Sequence, residues 1–172
     1  MADVNVLVVF YSRYGKAEQL ALAAGLGAIQ TKSNIRLRRV ADLADSATIA
    51  ADPAWKQNLD RMTMDYVVPR AADPAWADVI ILATPEDSSA ELQRYVGSLP
   101  SIGGMDGKIA APLAPGNNES ALKPIYAAAA CAGLIVAPAQ APSPDGVASA
   151  RAYGRRVSLM ARALKELQDR PV

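Results

Sequence analysis

The sequence has no histidine and one cysteine, Cys131. Without histidine there is no imidazole to bind a metal or to act as a general base near neutral pH. That removes most zinc enzymes and the Ser-His-Asp hydrolases. One cysteine excludes a disulfide framework and a multi-cysteine metal site. Strong charge is also lacking: 18 basic and 17 acidic residues leave a formal net charge of +1. No polyanionic partner such as nucleic acid is implied by that balance. No apolar run approaches the roughly 18 residues that suggest a membrane span. The first residues carry no basic n-region or cleavage signal. A cytoplasmic, non-membrane protein is therefore expected. The 172 residues suit one domain, 1–172, with a full core.

What is present begins with Val4 to Gly25. The apolar run Val6, Leu7, Val8, Val9, Phe10, Tyr11 reads as a strand buried on both faces. The polar turn Ser12-Arg13-Tyr14-Gly15-Lys16 follows, and then a helix from Lys16 to about Thr31, rich in alanine and leucine. In such a unit the loop N–H groups and the helix N-terminus face outward at the carboxyl end of the strand. That is where open α/β sheets bind anions and nucleotides. Ser12 offers a hydroxyl, Gly15 a close backbone approach and Lys16 a positive charge. The same loop also reads as an ordinary capped βα turn.

Tyr11-Ser12-Arg13-Tyr14-Gly15-Lys16 resembles the phosphate loop of the flavodoxin-like FMN proteins. It is most similar to that of the flavodoxin-like NAD(P)H:quinone oxidoreductases, whose loop reads roughly Tyr-Ser-x-Tyr-Gly-His. The strand Ala77 to Thr84, ending in Thr84-Pro85, matches that family's strand ending in Gly-Thr-Pro, after which the loop wraps the flavin ring. Here the loop continues Glu86-Asp87-Ser88-Ser89, and the acidic pair departs from the family's bulky basic-aromatic-glycine sequence. Ser88 or Ser89 is read as the cap of a helix from Ala90 to about Gly97, with Glu91 near its positive end. Gly103 to Lys108 is a turn-rich connector before a strand at Ile109 to Leu113. The loop Ala114-Pro115-Gly116-Asn117-Asn118-Glu119 takes the place of the family's Gly, Ser and Thr-rich flavin loop; an ordinary helix-capping turn is the equal alternative.

The remaining segments are read as follows. Asn34 to Val40 is an edge or half-exposed strand, with Arg36, Arg38 and Arg39 on a solvated face rather than on a nucleotide. Asp52-Pro53-Ala54-Trp55 recurs as Asp73-Pro74-Ala75-Trp76, and each copy reads as an N-cap opening a short helical turn. Met64 to Val68 reads as a short extended piece. Ser120 to Ala132 is a helix holding a packed Cys131, and Leu134 to Val136 is the last strand. Ala137 to Gly146, with three prolines, is a loop. Ala148 to Gln168 is a final helix with Arg155, Arg156 and Arg162 on its wet face. Its Ala150 to Val157 segment resembles the family's final helix.

The resemblance implies an α/β, flavodoxin-like three-layer sandwich with a five-stranded parallel sheet of order 2-1-3-4-5. It implies FMN held by three loops: Ser12, Arg13, Tyr14, Gly15, Lys16 and Ala17; Thr84, Pro85, Glu86 and Asp87; Pro115, Gly116 and Asn117. It also implies NAD(P)H as electron donor, a quinone or similar acceptor, and a homo-oligomer. Three departures predict FMN held weakly or not at all. Ala17 stands where flavodoxin loops carry Thr, Glu86-Asp87 are acidic, and only Ala137 to Val147 replaces a long glycine-rich insertion. The alternative is a flavodoxin-fold binding or assembly module that has lost flavin. An electron-carrier flavodoxin is less favoured, because carriers are strongly acidic and this chain is near neutral.

Overall fold

The computed structural model describes residues 3–139 and 145–168. Its sheet is built from β1 (Asn5–Phe10), β2 (Asn34–Arg39), β3 (Val79–Ala83), β4 (Ile109–Leu113) and β5 (Ile135–Val136). All neighbours are parallel and the spatial order is β2-β1-β3-β4-β5. Val8 lies opposite Leu37 on one side and Ile81 on the other. From Val6 to Phe10, and throughout β3 and β4, every residue is buried. This is why those segments read as unbroken apolar runs rather than alternating ones. At the edge, β2 is half-exposed over most of its length. Pro112, a poor residue for a central strand, lies beyond the two positions at which β5 pairs with β4.

Strand alternation divides the core into two layers. Val6, Val8, Phe10, Ile81, Ile109 and Leu113 face one side, packed with α1 (Lys16–Ile29) and α7 (Gly146–Gln168). Leu7, Val9, Tyr11, Ile80 and Leu82 face the other, packed with α5 (Ala90–Ile102) and α6 (Glu119–Cys131). The three-layer sandwich read from the sequence is the architecture observed. Between β2 and β3 lie α2 (Ser46–Ala50), α3 (Pro53–Asp65) and α4 (Ala72–Trp76). Among the described residues, no helix is long and apolar enough to cross a membrane.

Several local expectations need correction. Asp52 does cap a helix, accepting from the Trp55 N–H at 3.0 Å. The helix is α3, which absorbs Met64, read from sequence as extended. Only Val67 beyond it keeps an isolated bridge, to Arg38. The second Asp-Pro copy does not cap. Asp73 lies inside α4, is 1% exposed, and accepts from Arg38 Nε at 2.7 Å, Arg36 Nη1 at 3.1 Å and the Arg70 N–H at 2.8 Å. Arg36 and Arg38 are therefore ion-paired rather than merely solvated, and Arg39 pairs with Asp42 at 2.7 Å. α5 runs past Gly97 to Ile102 and stops at Gly103, whose φ of 78° is left-handed. Cys131 is exposed, not packed. Leu122, Ile125 and Ala129 take the inward face of α6, and helical periodicity turns a residue two places after Ala129 outward. Arg155 and Arg156 are exposed, while Arg162 is half-buried and donates to the Thr31 carbonyl at 2.6 Å. The Ala137 to Val147 connection falls partly on 140–144, outside the described residues.

Candidate functional site

The first loop leaves β1 beside β3, with the Tyr11 N–H still bonded to the Ala83 carbonyl. Ser12 is buried, and its Oγ accepts from the Gly15 N–H at 2.9 Å. That bond closes the turn from within. Gly15 has φ 94°, a left-handed conformation that favours glycine, and α1 begins at the next residue. No side chain caps α1, so its first-turn N–H groups are left for water or a ligand, at the positive end of the helix dipole. Ala17 is buried beneath them.

A buried network fixes the outer side of this loop. Asp42, with a side chain 6% exposed, accepts from Tyr11 Oη and Trp55 Nε1, both at 2.9 Å, besides its pair with Arg39. Tyr11 Oη in turn accepts from Arg13 Nε at 3.1 Å, and the Arg13 guanidinium lies 4.4 Å over the Trp55 ring. Burial pushes the Tyr11 hydroxyl's pKa up, so it remains a donor to Asp42. Tyr14, half-exposed, donates to Asp52 at 2.6 Å, and that bond lowers the Asp52 carboxyl's pKa. Neither Asp42 nor Trp55 carries a local sequence signal for this role: their bonds to the loop span 31 and 42 positions.

The second loop faces the first. Thr84 is buried and donates to the Ser88 carbonyl at 2.7 Å. Ser89 is the N-cap residue of α5 but makes no side-chain cap, and Ser88 Oγ instead donates to Glu91 at 2.8 Å. The expected serine cap is thus replaced: Ser89 Oγ accepts from Gln93 Nε2 at 2.7 Å, and the Ser88 hydroxyl goes to the Glu91 carboxylate. Glu86 reaches Lys16 at 3.5 Å and Asp87 reaches Arg13 at 3.8 Å. The two loops enclose a cleft of about 260 Å³, with Ser12, Arg13, Tyr14, Lys16 and Ala17 on one wall and Pro85, Glu86 and Asp87 on the other. That is below the roughly 300–1,000 Å³ of pockets that enclose drug-sized ligands. A head group the size of a phosphate fits within the cleft.

The third loop is a short 3-10 turn, Pro115–Asn117, with Gly116 and Asn117 both at left-handed φ. Asn118 caps α6, accepting from the Ala121 N–H at 3.2 Å. The turn packs against α1 but does not line the cleft. Two of the three predicted loops therefore meet directly, and the third stands beside them. Another cavity, of about 230 Å³, lies at the amino ends of β3 and β4. Its cations are engaged internally: Lys165 with Asp78 at 3.0 Å, and Lys108 with the Ala75 and Ala77 carbonyls. Ligands of open α/β sheets bind at the carboxyl ends of strands, which favours the first cleft.

This sheet order, with helices on both faces, is the flavodoxin-like fold. Among solved structures, a diflavin flavoprotein A3 from Nostoc sp. aligns with a TM-score of 0.62 at 15% identity, covering 98% of this chain and 99% of that one. A flavodoxin of Streptococcus pneumoniae TIGR4 aligns with a TM-score of 0.59 at 13% identity, covering 91% and 99%. No family model matches the chain. By sequence it is related to curated proteins named NAD(P)H dehydrogenase (quinone). The one from Deinococcus radiodurans is 26% identical over 148 residues, which is 80% of this chain and 74% of that protein. The one from Paracoccus denitrificans is 32% identical over 101 residues, 59% of this chain and 46% of that protein. The resemblance read from Tyr11 to Lys16 and from the Thr84-Pro85 strand end thus agrees with both fold and relatives.

Proposed function

We propose that this chain is one flavodoxin-like domain acting as an FMN-dependent oxidoreductase, with NAD(P)H as donor and a quinone or similar small acceptor. The observation that carries this reading is the first loop. A left-handed Gly15, an uncapped helix N-terminus and the cations Arg13 and Lys16 converge at the carboxyl end of a central strand. These residues suit the phosphate end of FMN. In this reading the backbone of 15–17 with Arg13 and Lys16 holds the phosphate, and the Thr84-Pro85 strand end and the loop at 115–117 face the ring. FMN when bound supplies the hydride and electron chemistry, so the chain's lack of histidine is no obstacle. The Deinococcus and Paracoccus relatives, both named NAD(P)H dehydrogenase (quinone), support the donor and acceptor classes. A homo-oligomer, and a reducing cytoplasmic setting suited to a single free cysteine, complete the proposal.

A second reading, a binding module without flavin, is favoured by one observation: the cations of the first loop are already paired with Glu86 and Asp87. One titration separates the two. FMN fluorescence should quench on adding the protein, with affinity below that of a loop carrying Thr at position 17. Loss of one hydrogen bond costs roughly 1–3 kcal/mol, about tenfold to hundredfold in affinity. Gly15→Val should abolish binding while circular dichroism shows the fold intact, because a β-branched residue resists φ 94°. Unchanged FMN affinity in that variant would overturn the loop assignment, and a wild-type protein that never binds FMN would favour the second reading.

A further inference from the structure

We infer that Glu86 and Asp87 are the specificity-determining pair of this cleft: they act as internal anions on Arg13 and Lys16, and a ligand enters only by displacing them. The inference rests on the phosphate-site reading and gives that site its selectivity. The two cations the first loop presents to the cleft are both met from across it, Lys16 by Glu86 at 3.5 Å and Arg13 by Asp87 at 3.8 Å. These are the longest ion pairs among the described residues. Nearby pairs whose carboxylate is buried are far tighter, with Glu18–Arg61 at 2.6 Å and Asp42–Arg39 at 2.7 Å. Both carboxylates are at least half water-exposed, at 50% for Glu86 and 59% for Asp87. Exposed pairs of this kind are weak and exchange readily. They are a filter, not a block.

The seat they cover does not depend on them. Arg13 is held from behind by Tyr11 Oη and the Trp55 ring, so it keeps its place when Asp87 leaves. A monoanion replaces one carboxylate and leaves the other facing it at close range. A dianionic phosphate monoester replaces both. The chemistry selected is therefore a doubly charged phosphate, and the selection is set by residues distant in sequence, Glu86 lying 70 positions from Lys16.

The test is the double substitution Glu86→Gln with Asp87→Asn, which keeps shape and removes charge, followed by titration with FMN and with inorganic phosphate. Displacing two exposed pairs corresponds to about a twofold to thirtyfold change in affinity, so both ligands should bind more tightly by that factor. Adding Lys16→Met should then cost more in the neutral-loop background than in the wild type, because there Lys16 is no longer occupied. Such non-additivity is the signature of direct contact. If phosphate tightens but FMN binds neither protein, the flavin reading falls and the internal competitor stands. If FMN binds both proteins alike, the competitor falls and the flavin reading stands. Additive Lys16→Met losses, or no anion binding to either protein, also overturn it.

Discussion

The two ends of α1 are held in opposite ways. Near its C-terminus it touches α7 backbone to backbone. A Cβ on Gly27 would stand 1.9 Å from the Arg151 carbonyl oxygen, and one on Gly154 would stand 1.9 Å from the Ala24 carbonyl oxygen. Missing side chains fix that contact, and it has no slack. Near its N-terminus α1 is held by polar side chains instead. Glu18 accepts from Arg61 Nη2 at 2.6 Å and from Tyr66 Oη at 2.5 Å, while the preceding loop leans on Tyr11, Asp42 and Trp55. Backbone contact makes a rigid hinge-free scaffold. Side-chain contact can be re-made one bond at a time, and the candidate site is built at that end.

Substitutions should separate the two ends by size of effect. The largest belongs to the backbone contact. Gly27→Leu drives an isobutyl group into the backbone of α7, beyond the roughly 1–3 kcal/mol of ordinary overpacking. We expect no cooperative thermal unfolding transition at all. A variant that melts within a few degrees of the wild type would show that the helices can part cheaply. Next comes Asp42→Ala. It strips the acceptor from Arg39, Tyr11 and Trp55 at once. Breaking a buried ion pair by removing one partner costs about 3–5 kcal/mol. Asp42→Asn should cost clearly less, because its amide oxygen still accepts from Tyr11 and Trp55. Urea midpoints for the two variants check this ordering, and equal losses would mean that the Arg39 charge alone sets the cost.

The backbone end of α1 was half legible. The alanines of Ala17 to Leu26 announce close packing, but the sequence does not say against what, and Gly154 lies 127 positions from Gly27. The sheet was legible because β1 and β3 are buried on both faces, and burial on both faces writes itself as a run without alternation. α3 was missed although it carried a signal: Trp55, Leu59, Met62 and Tyr66 recur at i, i+4, i+7 and i+11, a helical stripe. Met64, at 89% exposure, is simply on the wet side of that helix. The site divides in the same way. Gly15 and the uncapped α1 are local features and could be read in place. The reach of Glu86 to Lys16 and of Asp42 to Tyr11 is set by which strands lie side by side, and no spacing rule reports it.

The smallest expected effect tests the polar end by pH. Hydrogen bonding from Arg61, opposed by burial and helped by Tyr66, holds the Glu18 carboxyl below the ordinary glutamate range. In the unfolded chain the same group titrates near about pH 4.3. The folded state therefore binds fewer protons than the unfolded state through this window, and stability falls as pH is lowered. The contribution of Glu18 is complete above the unfolded value and disappears as pH drops through the folded one. Other carboxyls held low, Asp52 and Asp45 among them, make the whole protein acid-sensitive, so the wild type alone does not isolate Glu18. The difference from Glu18→Gln does. Glutamine keeps the shape and one acceptor for Arg61 or Tyr66, and it has no charge to lose. The stability gap between the two proteins, measured as urea midpoints at pH 7, 5, 4 and 3, should be widest at pH 7 and 5 and should close toward pH 3. A gap that stays constant across that range would mean Arg61 holds Glu18 by shape alone, and that this end of α1 is as indifferent to charge as the other.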